Sequence, residues 1–112
     1  MAHLAPDLGA RPKHLTLHRK WGQGKMEKTI HSNAYRVLRQ WLVEMRHEKR
    51  LTQRELARLL KVPYSWVGKV ELGERRLDIV EYVRLCKGLG IDPHEGLELI
   101  INQLKNEEEM RE

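Results

Sequence analysis

The stretch TQRELARLLKVPYSWVGKVELG, from Thr52 to Gly73, contains the signals that decide the fold. Thr52 and Glu55 form a capping box, in which two side chains satisfy two free backbone N–H groups at the start of a helix. This helix must be short, because Pro63 pushes the residue before it out of helical backbone and suits the first turn of the next helix. Gly73 is a stop signal for that next helix. The stretch therefore predicts two short helices joined by a tight turn.

The apolar residues of this stretch recur at the spacing that two packed helices need. Those predicted to face a shared core are Leu56, Leu60, Val62, Val67 and Val70. Ala57 is small where the two helices would cross, and a larger side chain would push them apart. Since the turn is short, the second helix of this pair, which is the third of the whole chain, can protrude. A helix about 10–12 Å wide fits the major groove of DNA.

Three further helices are predicted around this pair. Asn33 can cap a first helix, Asp78 and Glu81 form a second capping box, and Gly90 ends the helix that follows it. The segment 92–95 begins a last helix. The apolar faces of the first and last helices are Leu38, Trp41, Leu42 and Met45, and Leu97, Ile100, Ile101 and Leu104. No strand-like alternation competes, so the sequence predicts an all-α, compact five-helix bundle.

Charge is distributed unevenly along the 112 residues, which are one domain's worth of chain. Residues 1–33 carry a net charge of +4, residues 34–91 carry +6 and residues 92–112 carry −5. A basic middle favours an anionic partner, nucleic acid before a membrane surface, and the acidic end is expected to face away from it. We therefore predict a flexible basic arm or disordered lead over 1–33, a folded domain over 34–104 and an acidic tail over 105–112. In the arm, Arg19, Lys20 and Trp21 could contact nucleic acid.

Several function classes are excluded by what the sequence does not contain. No nucleophile–base pair or phosphate-binding loop indicates an enzyme, and no cofactor is expected. His14 and His18 are too few ligands for a metal site, and Cys86 lies on an apolar helix face as a core residue. One cysteine excludes an intrachain disulfide framework. No apolar run has the length of a membrane span or a signal peptide, so we expect a cytoplasmic protein.

The stretch Thr52–Gly73 resembles the helix-turn-helix of the phage-repressor, Cro-like family, also called the XRE family. The resemblance covers residues 38 to about 100, including the order of the helices and the Glu71-Leu72-Gly73 ending. The sequence departs from the family at Lys61, where glycine is usual, and a left-handed lysine there would cost about 1 kcal/mol. Gly68 within the third helix costs up to about 1 kcal/mol relative to alanine.

The resemblance implies roles for particular residues. The candidate readers of base edges at the start of the third helix are Tyr64, Ser65 and Lys69. The candidate contacts to the DNA backbone are Gln53, Arg54, Lys61, Arg75 and Arg76. Trp66 could face the groove or pack against neighbouring helices. Arg46 and Glu71 are expected to form a buried or half-buried ion pair that supports the fold.

The family implies a sequence-specific regulator that binds double-stranded DNA, here a dimeric repressor on a pseudo-palindromic operator in a prokaryotic or phage genome. Leu97, Ile101 and Leu104 of the fifth helix are the candidate homodimer seam, although these residues could equally pack within the bundle. The alternative function is a protein-interaction module of the same fold, such as an antitoxin-type subunit that binds a partner protein. The basic residues around the third helix favour DNA.

Overall fold

The computed structural model describes residues 32–111, which form five α-helices and no strand. The helices are α1 (Asn33–Glu48), α2 (Gln53–Leu60), α3 (Tyr64–Leu72), α4 (Ile79–Leu89) and α5 (Pro93–Arg111). The predicted all-α, five-helix architecture is confirmed. Residues 1–31, with Arg19, Lys20 and Trp21 of the predicted arm, lie outside the described residues, and the arm stays a prediction.

Side-chain caps fix where the helices start. Both predicted capping boxes are present: Thr52 Oγ1 accepts a hydrogen bond from the Glu55 N–H at 3.0 Å, and Asp78 Oδ1 accepts one from the Glu81 N–H at 2.7 Å. The predicted cap of α1, Asn33, is one residue too late. Ser32 is the cap, because its Oγ accepts a hydrogen bond from the Tyr35 N–H at 3.1 Å and Asn33 is already helical.

The turn between α2 and α3 is made without glycine. Lys61 has φ 59° and ψ 46°, the left-handed conformation that the resemblance implied, and ends α2. Pro63 precedes α3 as its cap in extended backbone, with ψ 146°, rather than standing in its first turn. Val62 donates its N–H to the Ala57 carbonyl at 3.0 Å, which closes the end of α2. The turn is therefore tight enough for α3 to follow α2 directly.

The core lies between α1, α2, α3 and α4 and is mainly aliphatic. Its most deeply buried side chains are Leu56, Val67 and Cys86, and Ala57 is 2% exposed beside them. Leu60 and Val62, predicted as core residues, are only half-buried and pack against its edge. Burial raises the pKa of the Cys86 thiol.

The last helix, α5, packs mainly against α1. Gly96 permits this approach, because a Cβ there would clash with Tyr82 Oη, Trp41 and Leu38. The helix continues to Arg111 without a break, so the segment predicted as an acidic tail is helical over residues 105–111. Gln103 Nε2 donates to Glu107 Oε2 at 3.0 Å one turn further on, which favours this continuation. Among residues 32–111, no helix is both long and apolar enough to cross a membrane.

Candidate nucleic-acid interface

Helix α3 has a buried side and an exposed side. Val67 and Val70 are buried against the core, which leaves Tyr64, Ser65 and Lys69 exposed. Ser65 and Lys69 are one helical turn apart, so they lie on the same face. The structure thus brings the three candidate base readers together on the side of α3 that faces away from the bundle.

The opposite side of α3 is held by a buried ion pair. Arg46 Nε lies 2.6 Å from Glu71 Oε2, and Arg46 Nη2 lies 2.9 Å from Glu71 Oε1. The side chains are only 10% and 13% exposed, and Arg46 Nη1 also donates to the Leu51 carbonyl at 2.8 Å. Two parallel hydrogen bonds between charged groups fix α3 against α1 with a defined orientation.

Gln53 belongs to the same network. Its Nε2 donates to Glu71 Oε1 at 2.8 Å, so the side chain ties the start of α2 to the end of α3. The resemblance implies that this side chain contacts a DNA phosphate, but one N–H of its amide already donates to Glu71. A Cβ at Gly68 would lie 3.5 Å from Gln53 Oε1, which is an ordinary contact, so no close packing within the described residues requires glycine there.

Arg39 also contacts Glu71, together with Arg46 and Gln53, and the sequence analysis did not predict this contact. Its Nη1 donates to the Glu71 main-chain carbonyl at 2.9 Å, and its guanidinium packs beside Gly73 at the end of α3. Arg39 Nε is buried and makes no hydrogen bond to the described residues. The signal was present, because residues seven apart share a helix face and Arg39 stands seven residues before Arg46.

Three of the candidate backbone contacts are exposed cations that precede or follow α3 in the chain or contact its first residue. The Arg54 guanidinium lies over the Tyr64 ring, 4.6 Å from its centroid, and so connects the start of α2 to the start of α3. Lys61 in the turn and Arg76 after α3 are exposed. These three cations are exposed on three different segments and are therefore accessible to an anionic partner.

Arg75 is held differently from the other candidate contacts. Its guanidinium lies 5.2 Å from the centroid of Trp66, which is half-buried against the core rather than fully presented to a groove. Arg75 Nη1 and Nη2 each lie 3.1 Å from an oxygen of Glu81. The hydrogen bond from Arg75 lowers the pKa of the Glu81 carboxyl, and the same contact raises the pKa of Arg75.

Comparison with known proteins places this arrangement in a family. Residues 37–99 match the helix-turn-helix domain family, so the chain belongs to that family. It is also similar, with 41% identity and a TM-score of 0.63, to the XRE-family like protein of Pseudomonas syringae pv. tomato, over 70% of this chain and 98% of that one. The chain is therefore an XRE-type helix-turn-helix protein, and that class is a type of DNA-binding regulator rather than an enzyme family.

A second solved structure extends the comparison. The restriction-modification controller protein C.AhdI of Aeromonas hydrophila is 37% identical over 58% of this chain and 99% of that one, with a TM-score of 0.51. A search of curated proteins gave no match. The resemblance inferred from Thr52–Gly73 is thus confirmed at the level of family and fold.

Proposed function

We propose that this protein is a sequence-specific transcriptional regulator that acts as a homodimeric repressor on a pseudo-palindromic operator. The observation that carries the proposal is the exposed side of α3, where Tyr64, Ser65 and Lys69 stand free of the bundle. A rigid, protruding helix with polar side chains at its start has the shape and chemistry for reading base edges in a major groove. The similarity to two bacterial proteins supports a prokaryotic or phage genome as the target and the cytoplasm as the place of action.

Each of the three candidate base readers of α3 has a distinct role in this proposal. Lys69 donates to guanine O6 or N7, and Ser65 donates or accepts with less preference. The Tyr64 ring, steadied by Arg54, contacts a thymine methyl group or a phosphate. Lys61 and Arg76, with Arg54, contact phosphates and fix the orientation of α3 on the duplex, whereas sequence choice comes from the base contacts.

The proposed dimer forms through α5. Leu97 and Ile101 are 37% and 54% exposed and stand one turn apart, whereas Ile100 packs against the core. Packing inside the bundle therefore uses another side of α5 and leaves these two residues for a second copy. Leu104 is only half-buried and forms the edge of this seam. Two copies related by two-fold symmetry read two half-sites, which supplies the specificity that one short helix lacks.

Selection of bound duplexes from a random pool tests the DNA-binding proposal. We expect an enriched site with two-fold symmetry. Titration of that duplex at several salt concentrations is expected to give a log–log slope of about −5 to −7, from six to eight phosphate contacts by the dimer. A flat salt response, or a pool without any enriched site, would rule out the proposed function.

A paired substitution tests the dimer. Ile101→Glu is expected to convert the dimer to monomer in analytical ultracentrifugation and to weaken binding to the full site more than to a half-site. Met110→Glu is the matched control, because Met110 lies on the same helix, is 84% exposed and stands outside the proposed seam. If both variants remain dimeric, the seam lies elsewhere.

A further inference from the structure

We propose that Glu81 competes with DNA phosphate for Arg75 and thereby lowers the affinity of the interface for all duplexes alike. The inference rests on the proposed function and assigns a second role to Glu81, which the sequence predicts only as part of a capping box. Arg75 was predicted to contact the DNA backbone, yet in the free protein its guanidinium is already bound to a carboxylate.

The geometry of the pair is the geometry that a phosphate would need. Glu81 Oε1 and Oε2 accept hydrogen bonds from Arg75 Nη1 and Nη2 in a two-pronged arrangement. Arginine binds phosphate through parallel N–H groups of the same kind, so a phosphate that binds this edge of the guanidinium must displace the carboxylate.

Glu81 is not needed to place Arg75. The Trp66 ring lies under the guanidinium at 5.2 Å, and Arg75 Nη1 also donates to the Arg76 carbonyl at 3.1 Å. These two contacts hold Arg75 beside α3 without help from the carboxylate. The role of Glu81 is therefore competition rather than orientation.

The carboxylate also cannot move far when Arg75 leaves it. Glu81 Oε1 accepts a hydrogen bond from the Asp78 N–H at 3.0 Å, as part of the capping box that begins α4. A displaced carboxylate stays at this position, close to the incoming phosphate, and repels it. The pair is 40% and 29% exposed, so exchange of one anion for another does not disturb the core.

The capping boxes supply a matched pair of variants. Glutamine replaces glutamate in a capping box, so Glu81→Gln removes the negative charge and keeps the cap. Glu55→Gln makes the same change in the capping box of α2, where Glu55 accepts from the Thr52 N–H and no arginine hydrogen-bonds to it within the described residues. Thermal melts of both variants check that the caps survive.

The test measures dissociation constants on a selected duplex and on a scrambled one, for the wild type, Glu81→Gln, Glu55→Gln, Arg75→Ala and the double variant Arg75→Ala/Glu81→Gln. Glu81→Gln is expected to tighten binding of both duplexes about two- to fivefold at low salt. It is expected to steepen the log–log salt slope by about 0.9 for each phosphate gained. In the Arg75→Ala background, Glu81→Gln should change affinity no more than Glu55→Gln does in the wild type.

Three results would overturn the inference. Unchanged or weaker binding by Glu81→Gln would mean that the carboxylate does not compete. An equal gain in the Arg75→Ala background would mean that general charge, not the pair, is responsible. Absence of salt-sensitive binding by the wild type would overturn the proposed function together with this inference, whereas the first two results leave DNA binding by the wild type intact.

Discussion

Two arginine–glutamate ion pairs lie beside α3, and they differ in burial and in the elements that they connect. Arg46 and Glu71 lie between α1 and α3, are about nine-tenths buried and share a third partner, Gln53. Arg75 and Glu81 lie just beyond the end of α3, are partly exposed and bridge the following loop to α4. Both pairs are bidentate.

Burial determines whether each ion pair stabilises the fold or remains available to a ligand. In the buried pair, removal of one partner leaves a charge that water cannot reach, so the pair acts on the fold. In the exposed pair, water or another anion can replace either partner at little cost, so the pair is worth little stability and remains available to a ligand. The same two residue types therefore serve the framework on one side of α3 and the surface on the other.

The largest effect is expected from Glu71→Ala. It strands the Arg46 guanidinium and removes the partner of Gln53, at a cost of roughly 3–5 kcal/mol. A small domain has a free energy of unfolding of about 5–15 kcal/mol, so a thermal melt should show strong destabilisation. The double variant Arg46→Met/Glu71→Leu should be much less destabilised, because no buried charge is left unpaired. Melting of Glu71→Ala within about two degrees of the wild type would contradict the structural role.

Lys69→Ala is expected to relax sequence choice, with a loss of about 1–3 kcal/mol of discrimination between the preferred and the scrambled duplex. Its exposed position predicts little change in melting temperature, in contrast to Glu71→Ala. Binding isotherms on both duplexes give the measurement. Equal weakening on both duplexes would assign Lys69 to the phosphates instead.

Arg75→Ala is expected to weaken both duplexes alike, by about 1 kcal/mol or less, since it removes a phosphate contact and carries no sequence information. The same isotherms measure it. A loss confined to the preferred duplex would show that Arg75 reads a base and would break the assignment of the exposed pair.

The smallest effect concerns acid stability. Arg75 lowers the pKa of Glu81 below its ordinary value of 4.5, so the pair stabilises the folded state above that pH and the contribution is lost as pH falls through the lowered pKa. In Arg75→Ala, the Glu81 pKa should rise towards 4.5, as measured by NMR titration of its side chain. The difference in melting temperature between this variant and the wild type should shrink on acidification. An unchanged Glu81 pKa in the variant would show that Arg75 is not its partner in solution.

Prediction from sequence succeeded where the deciding contacts are local. The capping boxes at Thr52 and Asp78 each join residues three positions apart. The left-handed backbone of Lys61 was implied by the family resemblance, in which glycine is usual at that position. The pairing of Arg46 with Glu71 was supplied by the family resemblance and could not be derived from spacing, because the residues are 25 positions apart.

Prediction was incomplete where a side chain contacts a partner that is distant in sequence. The phosphate contact of Gln53 stays a prediction, and packing of α2 on α3 also brings its amide to Glu71. The sequence predicted no role for Arg39 and none for Glu81 beyond its capping box, since the end of α3 and the loop that follows it approach them only in the folded chain.

Sequence patterns alone predict the number and order of the helices, most of their ends and the basic character of the middle segment. Caps, proline and apolar spacing act within a few residues, so neighbours along the chain are enough to decide them. Packing of the helices sets which sides of α3 and α5 are covered, where Trp66 lies and which cations are already paired. Those outcomes depend on the packing of helices distant in sequence. Burial sets the free-energy cost of an unpaired charge, and packing sets which partner lies within hydrogen-bond distance of it.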